Sequence, residues 1–188
     1  MAPHFVPALF PLCPWSMISA IILANDRIDG PARADFTARC LGSLVEACVQ
    51  GLVADAVLIG EPGRHLGQIA EDAGCSFIET ANAPQGLREA LAQLRRDHVL
   101  LLSASYAVER GFADELDELF AYDAGDAPRT LRAAPHSFAT RLLPRLSKSA
   151  GIIAPRRILT HIDSSFDMDR LARKLKGADL ATRARRLS

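Results

Sequence analysis

No C-x-x-C pair and no zinc-type spacing occurs among the four cysteines of this 188-residue chain, Cys13, Cys40, Cys48 and Cys75. That excludes the common structural zinc modules and a thioredoxin-like redox motif. Cys40, Cys48 and Cys75 fall within apolar patterns and are expected as small buried side chains in a reducing compartment. No apolar run approaches the roughly 20 residues of a membrane-spanning helix. The first sixteen residues, MAPHFVPALFPLCPWS, hold four prolines and no Lys or Arg. They therefore lack the basic start and unbroken apolar helix of a signal peptide. Met1–Ser16 is expected to be a disordered extension, or to precede the true start, and the protein is expected to be cytoplasmic. Internal repeats and low-complexity segments are also missing. No nucleophile elbow surrounds Ser103 or Ser105, which argues against a hydrolase.

Net charge is zero, but the charges are not mixed evenly. Residues 1–128 carry 8 basic and 18 acidic side chains, and residues 129–188 carry 14 basic and 4 acidic ones. Such a split marks either a surface for anionic partners or two halves of one domain that attract each other. The length suits one domain with a sizeable core. Its 49% hydrophobic and 23% charged content is that of an ordinary globular protein.

ISAIILA (18–24), DAVLIG (55–60), CSFIE (75–79) and Val99–Leu102 are short apolar runs suited to buried parallel strands. Helical stripes separate them. Phe36, Cys40, Leu41, Leu44, Val45 and Cys48 predict one helix over Arg33–Gln50. Leu66, Ile69, Ala70 and Ala73 predict a second, ended by Gly74. Leu87, Ala90, Leu91 and Leu94 predict a third after a polar loop over Thr80–Gly86, and Phe112, Leu116, Leu119 and Phe120 a fourth. Alternation of this kind predicts an α/β fold of three layers, a mostly parallel sheet with helices on both faces. Ligands of such sheets sit at the carboxyl ends of the strands. Here those ends are Ala24–Asp29, Glu61–Gly63, Thr80–Gly86 and Ser103–Tyr106.

Beyond Tyr122, DAGDAPRTLRAAPHS reads as a loop and FATRLLPRLSKSAG as a basic amphipathic helix interrupted by Pro144. GIIAPRRIL reads as a strand and a helix start, and FDMDRLARKLKG as a helix. A single domain over residues 17–177 is expected. Residues 178–188, ADLATRARRLS, are expected to fray or lie on the surface as a basic tail.

Three segments, VLIGEPG, LLLSASYAVERGF and GIIAPRRILTHIDSSFDMDRLARKLKG, resemble in order the family 2 glycosyltransferases, which have the nucleotide-diphospho-sugar transferase (GT-A) fold. The resemblance spans roughly Ile18 to Gly177 and is closest to short bacterial members. It implies transfer of a sugar from a nucleotide-sugar to an acceptor, one bound to lipid near the basic half being a candidate; no nucleic-acid partner is expected. It implies a base held by the loop after the first strand, at Ala24, Asn25 and Asp26, and Glu61 as the acid after the second strand. Ser103 and Ser105 fall in the fourth-strand motif, with Ser105 where the family carries a metal-binding Asp. The family uses Mg²⁺ or Mn²⁺ to stabilise the departing diphosphate. Replacing that carboxylate by a neutral hydroxyl implies weakened metal dependence. The connection from Phe112 to Asp167 is also shorter than in full-length relatives.

Each candidate residue has a plainer reading beside this one. Asp26 and Asp29 suit a base or ribose, or simply stabilise turns. Glu61 suits ribose hydroxyls, or is a solvated turn residue. Arg88 suits a diphosphate, or is an exposed helix arginine. Asp167 and Asp169 suit the general base that deprotonates an acceptor hydroxyl, or cap a helix start. His136 and His161 have no partner at metal spacing. AIILAN also resembles the first strand of molybdenum-cofactor guanylyltransferases, but Asn25–Gly30 lacks their paired glycines and lysine. That nucleotidyltransferase reading, and a catalytically silent relative acting as a binding module, remain open.

Overall fold

The computed structural model describes residues 17–24, 32–63, 65–122, 126–135, 142, 147–160 and 167–188. The extension over residues 1–16, the loop 25–31, His136 and His161 lie outside them, as do residues 138–141 and 143–146 of the segment expected as a basic helix, whose last residues, 149–151, are strand instead.

Strands β1 (Ile18–Ala24), β2 (Val53–Gly60), β3 (Ser76–Glu79) and β4 (His98–Ser103) run parallel, as the apolar runs predict. Every residue of β1 is buried, which is why it reads as a mostly apolar run, interrupted only by Ser19, rather than an alternation. β5 (Tyr106–Val108), β6 (Arg129–Ala133), β7 (Ser149–Pro155) and β8 (Ala178–Arg186) complete one sheet in the order β3-β2-β1-β4-β7-β6-β8-β5. β7 is antiparallel to both β4 and β6, β8 is parallel to β6, and β5 is antiparallel to β8.

Helices cover both faces, giving the expected three layers. On one face α1 (Ala32–Ser43), α2 (Val45–Val49), α3 (Leu66–Asp72) and α5 (Phe112–Tyr122) cover Ile18, Ile22, Leu58, Leu100 and Leu102. On the other, α4 (Ala83–Gln93), α6 (Arg156–Leu159) and α7 (Met168–Leu175) cover Ile21, Ile59, Leu101 and Ile152. Alternate residues of β1 and β4 thus serve opposite cores.

Four expectations are corrected. The helix over Arg33–Gln50 is two helices, broken at Leu44. Ser43 is the local cause: its hydroxyl donates to the Cys40 carbonyl at 2.6 Å and accepts the Val108 amide at 3.1 Å, competing with the helix backbone. The break turns Val45 and Cys48 outward while Ala47 is buried, so Cys48 is exposed rather than a core thiol. Cys40 is buried, and desolvation pushes its thiol up to about 12. Burial also pushes up Cys75, with a smaller contribution from nearby Cys48. Next, the loop over Thr80–Gly86 is helical from Ala83, because Asn82 caps the Gln85 amide at 3.2 Å and Pro84 sits in the first turn. Gly86 lies inside that helix, where a Cβ would come within 2.6 Å of Ile59 Cγ2.

The other two corrections concern the last third of the chain. Residues 129–133 form β6 instead of continuing a loop, with Leu131 and Ala133 buried. Residues 178–186 form β8, a strand inside the sheet, not a surface tail. Leu180, Ala184 and Leu187 join the core. On β8, Asp179 instead accepts from Arg132 Nε at 2.9 Å, so a charged residue there is paired within the sheet.

Candidate functional site

Strand register defines one edge of the sheet. Ala24 pairs with Gly60, Gly60 with Glu79, and Leu23 with Ser103, so the carboxyl ends of β1 to β4 lie side by side. The antiparallel β7 begins at the same edge, since Leu102 pairs with Gly151. Ser103 ends β4 at this edge, and the turns that leave it carry Glu61 and Ser105.

Arg33, in the first turn of α1, is the residue that sequence reasoning missed. Its guanidinium is buried, donating to the Ala24 carbonyl at 3.2 Å and to Glu61 Oε2 at 3.0 Å. One side chain thereby ties the end of β1 to the end of β2. An arginine at a helix start carries no motif of its own, and only the crossover back onto the sheet brings it to Glu61. Glu61, with its side chain 34% exposed, is therefore held in place and not a freely solvated turn residue. Behind it, Glu79 accepts the Gly63 amide at 3.3 Å, fixing the turn after Glu61.

Ser103 and Ser105 flank the turn after β4, and both are buried. The Ser105 amide meets Ser103 Oγ at 3.4 Å, while the Ser105 carbonyl accepts from the Leu187 amide at 2.9 Å. The corner is thus closed over by the end of β8. An aspartate there would enter packed surroundings, and burying a charge without a partner is costly. Ser105→Asp is accordingly expected to lower stability by about 2–3 kcal/mol without any gain in Mn²⁺ binding. Denaturant unfolding and a metal titration check both. A variant as stable as the parent that binds Mn²⁺ more tightly would show the corner to be open to an ion.

Asp167 and Asp169 differ in position. Asp167 is the N-cap of α7, accepting the Arg170 amide at 2.8 Å. Asp169 Oδ1 accepts the Ser149 amide at 2.6 Å, which anchors it where β7 starts, at the same sheet edge as Ser103. Arg88 is exposed on α4, and no described contact joins it to Arg33 or Glu61. Asn25 and Asp26 lie outside the described residues, and so does the loop on which the nucleotidyltransferase reading rests.

The donors described at this edge do not fit a divalent cation. Glu61 is engaged by Arg33, Asp169 by a backbone amide, and the fourth-strand corner offers neutral hydroxyls. Among the described residues no three His, Cys, Asp or Glu side chains converge as a metal group. Nor is any described helix long and apolar enough to cross a membrane.

The order of the strands and the crossovers together define a nucleotide-diphospho-sugar transferase (GT-A) fold. Solved structures agree. A crystal structure of glucosyl-3-phosphoglycerate synthase from Mycobacterium tuberculosis, in complex with Mn²⁺, UDP and glucosyl-3-phosphoglycerate, superposes with a TM-score of 0.64 at 13% identity, covering 92% of this chain and 72% of that one. A second structure of that enzyme, with phosphoglyceric acid, gives 0.59 at 16% identity over 87% and 69% of the two chains. A structure described as a mycobacterial protein gives 0.55 at 15% identity over 91% and 65%. Other structures of the synthase hold Mg²⁺ with UDP, or Mn²⁺ with UDP-glucose and phosphoglyceric acid. No family model and no curated protein matches the sequence.

Proposed function

We propose that the chain binds a nucleotide-diphospho-sugar at the carboxyl edge of β1, β2 and β4 and transfers the sugar to a small acceptor, in the manner of a family 2-like glycosyltransferase. The observation that carries this reading is the buried Arg33 guanidinium held between the Ala24 carbonyl and Glu61, at the ligand edge of this fold. A carboxylate fixed by an arginine is preorganised to accept hydrogen bonds from ribose hydroxyls, so less ordering is lost on binding. Ala24 and the loop over Asn25 and Asp26 contribute to the base site, with Arg88 as the candidate for the diphosphate and Ser103 and Ser105 as further nucleotide-binding candidates. Asp169 serves as general base: Oδ1 is taken by the Ser149 amide, which orients Oδ2 for an acceptor hydroxyl. Asp167 holds the start of α7 in place. A small acceptor is supported by a structure of the synthase that holds phosphoglyceric acid beside UDP-glucose.

A silent, nucleotide-binding relative is the second reading, favoured by the buried Ser105 corner and its missing carboxylate. One screen separates the two. UDP-, GDP- and CDP-sugars, each with and without Mn²⁺, are titrated while unfolding is followed. A true donor at about 100 Kd is expected to stabilise the fold by about 2.7 kcal/mol. Release of labelled sugar onto phosphoglyceric acid or another hydroxy acid then identifies the transferase. Binding without transfer identifies the silent relative, and a flat response to every nucleotide removes both.

A further inference from the structure

At the opposite edge of the sheet, where β1 and β4 begin, a cavity of about 790 Å³ is lined by Met17, Arg95, Arg96, His98, Arg156 and Arg157 among others. The strand directions place it away from Ala24, Glu61 and Ser105. Its volume is that of a site for a small molecule.

The turn between α4 and β4 is built to present Arg95 and Arg96. Ser19, fully buried in the otherwise apolar β1, donates its hydroxyl to Asp55 Oδ1 and accepts the Arg96 amide at 3.3 Å. Asp55 Oδ2 also faces the Arg95 amide at 3.5 Å. Arg156 joins the end of β7 to the same turn, through its Nη1 to the Leu94 carbonyl at 2.9 Å and its amide to the Asp97 carbonyl at 2.6 Å. The backbone beneath the arginines is therefore anchored to β1, β2 and β7 by hydrogen bonds.

Their charges are incompletely matched. Of the lining carboxylates, Asp97 is 3.8 Å from Arg156, and Asp126 is 3.1 Å from Arg157. Neither the Arg95 nor the Arg96 side chain has an ion-pair partner among the described residues. Arg96 Nε is buried with no hydrogen-bond acceptor. An orphaned buried donor costs about 1–3 kcal/mol, so this arginine is held beside the cavity without an internal acceptor for Nε. Guanidinium forks match phosphate oxygens in geometry and charge.

We infer that this amino-edge cavity is a second ligand site, which takes a phosphorylated small molecule by its phosphate oxygens through Arg95 and Arg96, with Arg157 as an outer contact. The site is independent of the carboxyl-edge donor site and does not rest on the proposed transferase activity.

Calorimetry with inorganic pyrophosphate, against chloride at matched ionic strength, tests it. The full chain is expected to bind with Kd below about 1 mM. Arg95→Gln with Arg96→Gln is expected to weaken binding about tenfold or more while leaving the response to nucleotide-sugars unchanged. Asp126→Asn releases Arg157 and is expected to tighten binding a few-fold. Arg157→Gln, at an exposed position outside the Ser19 network, is expected to weaken it about threefold, and it keeps the question answerable if the double variant fails to fold. No heat beyond the chloride control, or unchanged affinity in the arginine variants, overturns the inference. So does loss of pyrophosphate binding in Arg33→Met, which would place the anion at the other edge.

Discussion

A chain ending at Gly177 is expected to lose its cooperative unfolding transition. The deleted residues contain β8, which lies between β6 and β5 and pairs with both. Removing it leaves β5 without a partner strand and exposes an unpaired edge of β6. It also removes Leu180, Ala184 and Leu187 from the core. A buried leucine contributes about 1.5–3 kcal/mol, so the two leucines alone approach the 5–15 kcal/mol that a domain has in total. The loss extends to the candidate site, because the Leu187 amide holds the Ser105 carbonyl. Far- and near-ultraviolet circular dichroism with urea titration checks this. A truncated chain with an unchanged midpoint would show β8 to be dispensable.

Arg33→Met is expected to have the largest effect on ligand binding. It keeps the length of the stem but removes the donors to Ala24 and Glu61, placing a buried apolar side chain beside the Glu61 carboxylate. Breaking a fully buried pair costs about 3–5 kcal/mol, whereas exposed pairs contribute about 0–1 kcal/mol. With Arg33 buried and Glu61 a third exposed, a loss near 2 kcal/mol is expected. Nucleotide-sugar affinity is expected to fall about tenfold or more, equivalent to about 1.4 kcal/mol. Arg33→Lys should rescue only part of this, because an ammonium cannot span both acceptors as a planar fork does. Urea unfolding and nucleotide-sugar titration read the two effects separately. A variant that is less stable yet binds nucleotide as before would make Arg33 a structural clamp only.

The parallel half of the sheet was legible because each of its strands is covered on both faces. Double burial writes a nearly continuous apolar run, as in Ile18–Ala24, where only Ser19 is polar, and Val99–Leu102. Helical stripes located α3, α4 and α5 for the same reason, although Asn82 and Pro84 start α4 earlier than its stripe does. The edge carrying Ala24, Glu61, Ser103 and Ser105 followed from strand direction alone. The antiparallel half was obscured. β6 is five residues long within a Pro- and Asp-rich stretch, and β8 carries arginines.

Composition and periodicity by themselves determined the fold class, the presence and parallel direction of the first four strands and the edge on which their carboxyl ends lie. The reason is that burial selects apolar residues at spacings set by backbone geometry. Tertiary structure alone decided three further matters: the Arg33–Glu61 pairing across the carboxyl edge, the burial of Ser105 beneath the last strand, and the Ser19–Asp55–Arg96 network beneath the amino-edge cavity. Each joins residues far apart in the chain, through single polar contacts that need no repeating pattern. A lone arginine or serine looks the same in sequence whether it faces water or a partner, and only the closed sheet supplies the partner.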